Sequence, residues 1–312
     1  MHNTQDENSS EEEWPLAEYP MDLETLDLIH LKLKEVVSLH LERFLQLKVL
    51  CLRQNQLDVF PHPKVLPQGL LELDLYDNTI ADIPEYTEFP ELHTLDLSFN
   101  RIKRIQHLER CKKLKNLYFV QNKISQITGL DALECLVSLE LGANRIRTIE
   151  NLEKLVHLQE LWLGKNKITE LKGLETLQSL RILSVQSNRL TSIKGLEALA
   201  HVLEELYLSH NGITSIEGLQ VLKRLRILDI SNNKIEKLEY INQNENMQEL
   251  WASYNQLSDF ENIEKECKSM RNLVTIYLEG NPLQKMNGTT YRNKIRLILP
   301  WIKQIDATYV HM

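Results

Sequence analysis

The chain is short of the residues on which several kinds of protein depend. Its four cysteines, Cys51, Cys111, Cys135 and Cys267, show no C-x-x-C spacing and form no cysteine-rich flank. A reducing compartment fits that usage, and Cys111, in a leucine slot between Leu108 and Leu114, reads as a small core hydrophobe. Bases are outnumbered, 36 against 44 acids, for a net charge of −8. Nucleic acid is therefore a poor partner, because its affinity rests on basic neutralisation of phosphates, and a partner with a basic patch suits the chain better. No apolar run approaches the ~20 residues needed to span a bilayer. Met1 to Glu13 lacks a basic stretch leading into an apolar one, so no secretory leader is expected. The triplets Asn8-Ser9-Ser10 and Asn287-Gly288-Thr289 then read as coincidental glycosylation matches.

What the chain has in abundance is leucine at fixed spacing. The segment Leu158 to Ile168 reads L-x-x-L-x-L-x-x-N-x-I, and the pattern recurs almost end to end. Its asparagines fall at Asn55, Asn78, Asn100, Asn122, Asn144, Asn166, Asn188, Asn211, Asn233, Asn255 and Asn281, mostly 22 residues apart. This is the period of a leucine-rich repeat, and a repeat this regular overrides the two-domain prior that length alone suggests. The expected fold is an α/β leucine-rich-repeat solenoid. It has a curved parallel sheet on the concave face, short helices and 3-10 turns on the convex face, and terminal caps.

Three regions follow: an acidic, disordered tail over 1–21, about twelve repeats over 22–283 with the first acting as a cap, and a C-terminal cap over 284–312. Leucine replaces asparagine at Leu31, which marks the first repeat as terminal. Pro61, Pro63 and Pro67 predict an irregular, extended return there. The step from Asn255 to Asn281 is longer, and its surplus within Asn262 to Asn272 predicts a longer convex helix. An apolar face at Tyr291, Ile295 and Ile298 or Leu299 predicts a capping helix.

The ladder asparagines are best explained structurally, because an inward carboxamide satisfies backbone groups of its own and adjacent repeats. Leucines flanking each strand centre point inward, so the residue between them faces the concave surface. That column is Cys51, Asp74, Asp96, Tyr118, Glu140, Trp162, Ser184, Tyr207, Asp229, Trp251 and Tyr277. Five of the eleven are aromatic and four acidic, with no base. Aromatics make up 6% of the chain, so about one would fall there by chance. Glu72, Glu160, Glu205 and Glu249 form an acidic neighbouring column. On the other side Ser98, Gly142, Gly164, Ser209, Ser231 and Ser253 are small, which leaves the rings accessible.

An exposed aromatic strip marks a contact surface, and tryptophan and tyrosine anchor protein interfaces; stacking across strands is the plainer explanation for the same rings. Catalysis is not expected. Acids on an open sheet should stay solvated, whereas catalytic pairs need a closed, pKa-shifting pocket. No nucleophile–base pair, phosphate-binding glycine loop, or histidine and cysteine cluster accompanies them, so no metal or cofactor is expected either.

Segments such as Leu206-Tyr207-Leu208-Ser209-His210-Asn211-Gly212-Ile213, Gly164 to Thr169, Gln186 to Thr191, and the end motifs Asn281-Pro282-Leu283-Gln284-Lys285 and Gln304-Ile305-Asp306-Ala307-Thr308 resemble the protein phosphatase 1 regulatory subunit 7 family. The likeness covers roughly 24–310. It implies a regulatory subunit that binds the catalytic subunit of protein phosphatase 1 through the concave face and controls its activity, maturation or targeting. Carried over by position, it implies partner contacts from Asp96, Tyr118, Glu140, Trp162, Asp229, Glu249, Trp251 and Tyr277. It also implies a nuclear and cytoplasmic location, room for a further phosphatase regulator in a ternary complex, and neither nucleic acid nor membrane as a partner. The alternative is a scaffold of spliceosomal or ciliary and microtubule assemblies, which share this repeat type. The first repeats and the proline segment are the least family-like.

Overall fold

The computed structural model describes residues 16–310. Twelve three-residue strands, one per repeat, are β1 Thr25–Asp27, β2 Val49–Cys51, β3 Glu72–Asp74, β4 Thr94–Asp96, β5 Asn116–Tyr118, β6 Ser138–Glu140, β7 Glu160–Trp162, β8 Ile182–Ser184, β9 Glu205–Tyr207, β10 Ile227–Asp229, β11 Glu249–Trp251 and β12 Thr275–Tyr277. They pair in parallel in chain order. Each central leucine or isoleucine is opposite its counterpart, as in Leu139 with Leu161 and Leu161 with Leu183. The expected parallel solenoid is therefore the fold. Its single core runs the length of the molecule, from Leu26 and Leu28 to Ile302 and Ile305.

The asparagine ladder holds the turns. In the Asn144 rung Nδ2 donates to the carbonyls of Phe119 at 2.8 Å, Leu141 at 3.0 Å and Gly142 at 3.1 Å, while Oδ1 accepts from the Ile124 amide at 3.0 Å. Each side chain thus joins its own turn to the preceding one, and the pattern repeats at Asn100, Asn122 and Asn166. Buried backbone groups left unpaired would cost about 1–3 kcal/mol each. The residue before the asparagine is left-handed at rung after rung: Gln54, Asp77, Phe99, Gln121, Ala143, Lys165, Ser187 and His210 all have φ of 53 to 56°. At the last rung glycine takes this place, and a Cβ on Gly280 would sit 2.5 Å from the Tyr254 ring.

The convex side is less helical than the sequence predicts. Of the six regular returns between Asn122 and Asn255, two make a 3-10 turn, Glu197–Leu199 and Leu219–Val221. The others chain single turns that share a residue: Leu133 donates to Leu130 and Leu136 to Leu133, and in the last of them Asn244 donates to Ile241 and Met247 to Asn244. A 22-residue repeat leaves room for a short 3-10 turn at most before the chain returns to the sheet. The proline segment is also more ordered than expected. Pro63–Val65 forms a 3-10 turn whose cap is the His62 side chain, accepting from Lys64 N, because proline at a first helical position loses no bond. The longer step does carry a convex helix, α1 Phe260–Cys267, with Asp259 capping it.

At the C-terminal end come α2 Pro282–Asn287, α3 Tyr291–Ile298, and a hairpin of β13 Gln304–Ile305 and β14 Thr308–Tyr309. α3 buries Tyr291 and Ile295, and Leu299 just beyond it is buried while Ile298 is half-exposed. β13 pairs in parallel with β12, so the open end of the core is closed by a helix and a further pair of strands. At the other end Leu31, in the asparagine slot, stays exposed, and its amide is taken by Oδ1 of Asn55. Of the expected tail, 1–15 lies outside the described residues. Leu16 does not behave as tail, since it is buried in the core cluster at the first repeat.

Candidate functional site

The strand register places the eleven column residues in one line. Cys51 is opposite Asp74, Asp74 opposite Asp96, and so on through Tyr118, Glu140, Trp162, Ser184, Tyr207, Asp229, Trp251 and Tyr277. Three of its aromatics lean over smaller rungs. Trp162 and Tyr207 stack across β8 with ring centroids 6.0 Å apart, and Tyr207 meets Trp251 edge-on across β10 at 6.4 Å. Trp251 and Tyr277 then meet at 6.0 Å on adjacent strands. The rings form one continuous strip, and Ser184, 1% exposed, and Asp229, 7% exposed, lie beneath it.

Glutamates two residues earlier on the same strands hold these rings, since residues i and i+2 share a face. Trp162 Nε1 donates to Glu160 at 3.4 Å, the Tyr207 hydroxyl to Glu205 at 2.8 Å, and Trp251 Nε1 to Glu249 at 3.1 Å. Gln304 of the cap donates to the Tyr277 hydroxyl at 2.7 Å. Glu249 thus belongs to the site as the fixer of Trp251, with its other oxygen free of any hydrogen bond to that ring.

The acids are less solvated than an open sheet suggests, and this corrects the sequence reading. Burial, reinforced by neighbouring Asp74, raises the Asp96 carboxyl above the ordinary aspartate range, against the hydrogen bonds it accepts from Ser98. Burial likewise raises Glu140, with Asp96 and Glu160 adding repulsion, and raises the Tyr118 hydroxyl beside Glu140. The aspartates also have a local duty: Asp74, Asp96 and Asp229 each accept through Oδ1 from the amide two residues on. This Asx turn leads the chain from strand to ladder. Cys51 in the same line has its thiol pushed up to about 12 by burial, so it stays protonated.

The sequence reading missed a second group at the N-terminal end of the concave face. Arg53 pairs with Asp74 at 3.0 Å and lies 4.0 Å over the Tyr76 ring, which packs on Phe99 at 4.8 Å. Arg53, Tyr76 and Phe99, with Asp96, Tyr118 and Glu140, line an open hollow of about 340 Å³. Arg53 and Tyr76 occupy the column that holds serine or glycine at six other rungs, so a scan of that column for large side chains would have found them. The hollow offers two carboxylates of raised proton affinity beside aromatic faces, a setting for a cationic side chain.

Of the eight residues singled out, Trp162, Glu249, Trp251 and Tyr277 gather in the aromatic strip and Asp96, Tyr118 and Glu140 in the hollow. Asp229 is covered by the strip.

The model of the family described as Leucine Rich repeats (2 copies) matches residues 68–110, 90–132, 135–176, 156–201 and 201–243. The chain is 55% identical over 295 residues to a protein of Schizosaccharomyces pombe named protein phosphatase 1 regulatory subunit SDS22, covering 95% of this chain and 88% of that one. A 45-residue stretch is 58% identical to mouse protein phosphatase 1 regulatory subunit 7, covering 14% and 12%. Among solved structures, an internalin of Listeria monocytogenes superposes with a TM-score of 0.68 at 21% identity, covering 92% of this chain and 88% of that one. At that identity the likeness is one of fold.

Proposed function

Because the chain belongs to the leucine-rich-repeat family of protein phosphatase 1 regulatory subunits named SDS22, we propose that it binds the catalytic subunit of protein phosphatase 1 through its concave face and controls that enzyme's activity, maturation or targeting. The observation that carries this reading is the continuous strip Trp162–Tyr207–Trp251–Tyr277, half-exposed on an otherwise acidic surface. Solenoid packing requires none of these rings, and half-buried tryptophan and tyrosine are the favoured anchors of interfaces. The carboxylates of the hollow steer a basic patch toward the face and set its register. The carboxylates stand on separate rungs of an open face, an arrangement that supports a binding role.

Co-purification with recombinant catalytic subunit tests the assignment. Trp251→Ala and Asp96→Lys should each weaken binding by at least ~2 kcal/mol, as expected for central anchors, with the circular dichroism spectrum unchanged. Full-strength binding by both variants would refute the concave-face reading. A nuclear and cytoplasmic location, and a further regulator in a ternary complex, belong to the same proposal and are checked by immunoprecipitation from fractionated cells.

A further inference from the structure

The rim formed by the asparagine turns carries charge opposite to the concave face. The residue after each ladder asparagine is Arg101, Lys123, Arg145, Lys167 and Arg189 on five consecutive rungs, and after a gap at Gly212 comes Lys234. Its side chain points away from the core, because the asparagine before it and the isoleucine or leucine after it point in. The amides of these residues donate to the preceding repeat at 2.8 Å, Lys123 to Ile102, Arg145 to Ile124 and Lys167 to Ile146. The bases are therefore stacked at the spacing of a β-ladder, ~4.8 Å.

Two observations set this line apart from ordinary surface charge. Several bases elsewhere pair with an acid of another rung, as in Arg110 with Glu88, Lys113 with Glu91, Arg181 with Glu204 and Lys194 with Glu217. On this rim no base of the line has an ion-pair partner among the described residues, and each faces a like charge on the next rung. That arrangement is destabilising. Second, in the four residues following each of the five asparagines the single acid is Glu170, and it is paired with Lys172 at 2.8 Å. Lys103, Arg147 and Lys165 widen the positive strip.

We infer that this rim is a second docking surface, on which an acidic polypeptide segment of another protein lies across the rungs from Arg101 to Arg189. Five rungs span roughly 20 Å, the length of about six extended residues, so a short run of Asp or Glu meets the whole line. A peptide is favoured over nucleic acid because these segments offer no aromatic ring on which a base can stack. The surface is separate from the concave strip, so a protein bound there leaves the rim open.

Fluorescence anisotropy of labelled hexaglutamate with the full chain tests the inference. Wild type should bind at low salt and release the peptide as salt rises. The variant Arg101→Gln/Lys123→Gln/Arg145→Gln/Lys167→Gln should bind at least about tenfold more weakly, with unchanged circular dichroism. Should that variant fail to fold, the pairs Arg101→Gln/Lys123→Gln and Arg145→Gln/Lys167→Gln should each show a partial loss. Trp251→Ala should bind the peptide as wild type does, and the rim variant should still co-purify with the phosphatase catalytic subunit. The inference is overturned by equal peptide binding in wild type and rim variants, by no binding of wild type at low salt, by loss of peptide binding in Trp251→Ala, or by an oligouridylate that binds more tightly than the peptide.

Discussion

Replacing Asn144 by aspartate isolates the donor half of the ladder while leaving its shape intact. The acceptor bond from the Ile124 amide survives the change. The Nδ2 group that donates to the carbonyls of Phe119, Leu141 and Gly142 becomes an oxygen facing three oxygens. The site is 8% exposed, so water does not substitute. Each carbonyl keeps a second donor, Asn122 Nδ2 for Phe119, Asn166 Nδ2 for Leu141 and the Gln121 amide for Gly142, so the cost is that of three lost bonds, about 0.5–1.5 kcal/mol each, together with an ionised carboxylate facing those oxygens. A loss of at least about 3 kcal/mol at neutral pH is expected. Protonation restores one donor, so the folded-state pKa of Asp at this position is raised above its unfolded value. Between those two values the native state holds the extra proton, and stability is therefore recovered as pH falls through the folded value. Urea unfolding followed by circular dichroism and tryptophan fluorescence measures it, coincident transitions securing a single free energy. Asn116→Asp is the control, since that side chain bonds only the Thr94 hydroxyl at 3.2 Å in a half-exposed position. A loss at Asn144 no larger than at Asn116, or no recovery on acidification, refutes the donor role of the ladder.

Two further outcomes follow from the geometry. Gly195 has φ of 102° and a Cβ there would lie 1.9 Å from the Leu171 carbonyl oxygen, so Gly195→Ala should lose at least about 2 kcal/mol. Gly69→Ala, with open space around its Cβ, should change stability by no more than about 1 kcal/mol in the same urea titration. Affinity for the catalytic subunit should depend on pH through Asp96 and Glu140, whose carboxyls are raised in the free chain. A basic partner lowers them again, so binding is complete above the free-state values and is lost as pH falls through them, beginning above the ordinary carboxylate range of 3.8 to 4.5. Isothermal titration across that range measures it, and Asp96→Asn should flatten the curve; an affinity that rises on acidification contradicts the reading.

The repeat, the ladder and the inward leucines were legible in the sequence because each is a strictly local pattern whose period matches its geometry. An L-x-L pair has to face inward, and an asparagine at constant spacing has to meet its neighbour. The column Cys51 to Tyr277 followed from the same alternation. Its members' roles did not. Asp229 and Trp251 read as equivalent contacts, yet one lies under the rings and the other forms them. The helical content of the returns was overestimated, since a leucine every three residues suits both a coiled helix and a chain of single turns. The left-handed residue before each asparagine was invisible, because phenylalanine, alanine, lysine and glutamine occupy it without any preference for that conformation.

By itself the sequence determined the solenoid and the line of concave-facing residues, since both rest on spacing along one chain, and in a solenoid spacing along the chain is position in space; the resemblance of its segments pointed to the family. Only the tertiary structure decided which rings touch, how far Asp96 and Glu140 are withdrawn from water, and that Arg53 joins the acidic face. Those depend on side chains 21 or more residues apart meeting across rungs. The twist and rotamers that bring Trp162 over Ser184 to Tyr207 are set by the packing of the whole sheet, which no single repeat contains.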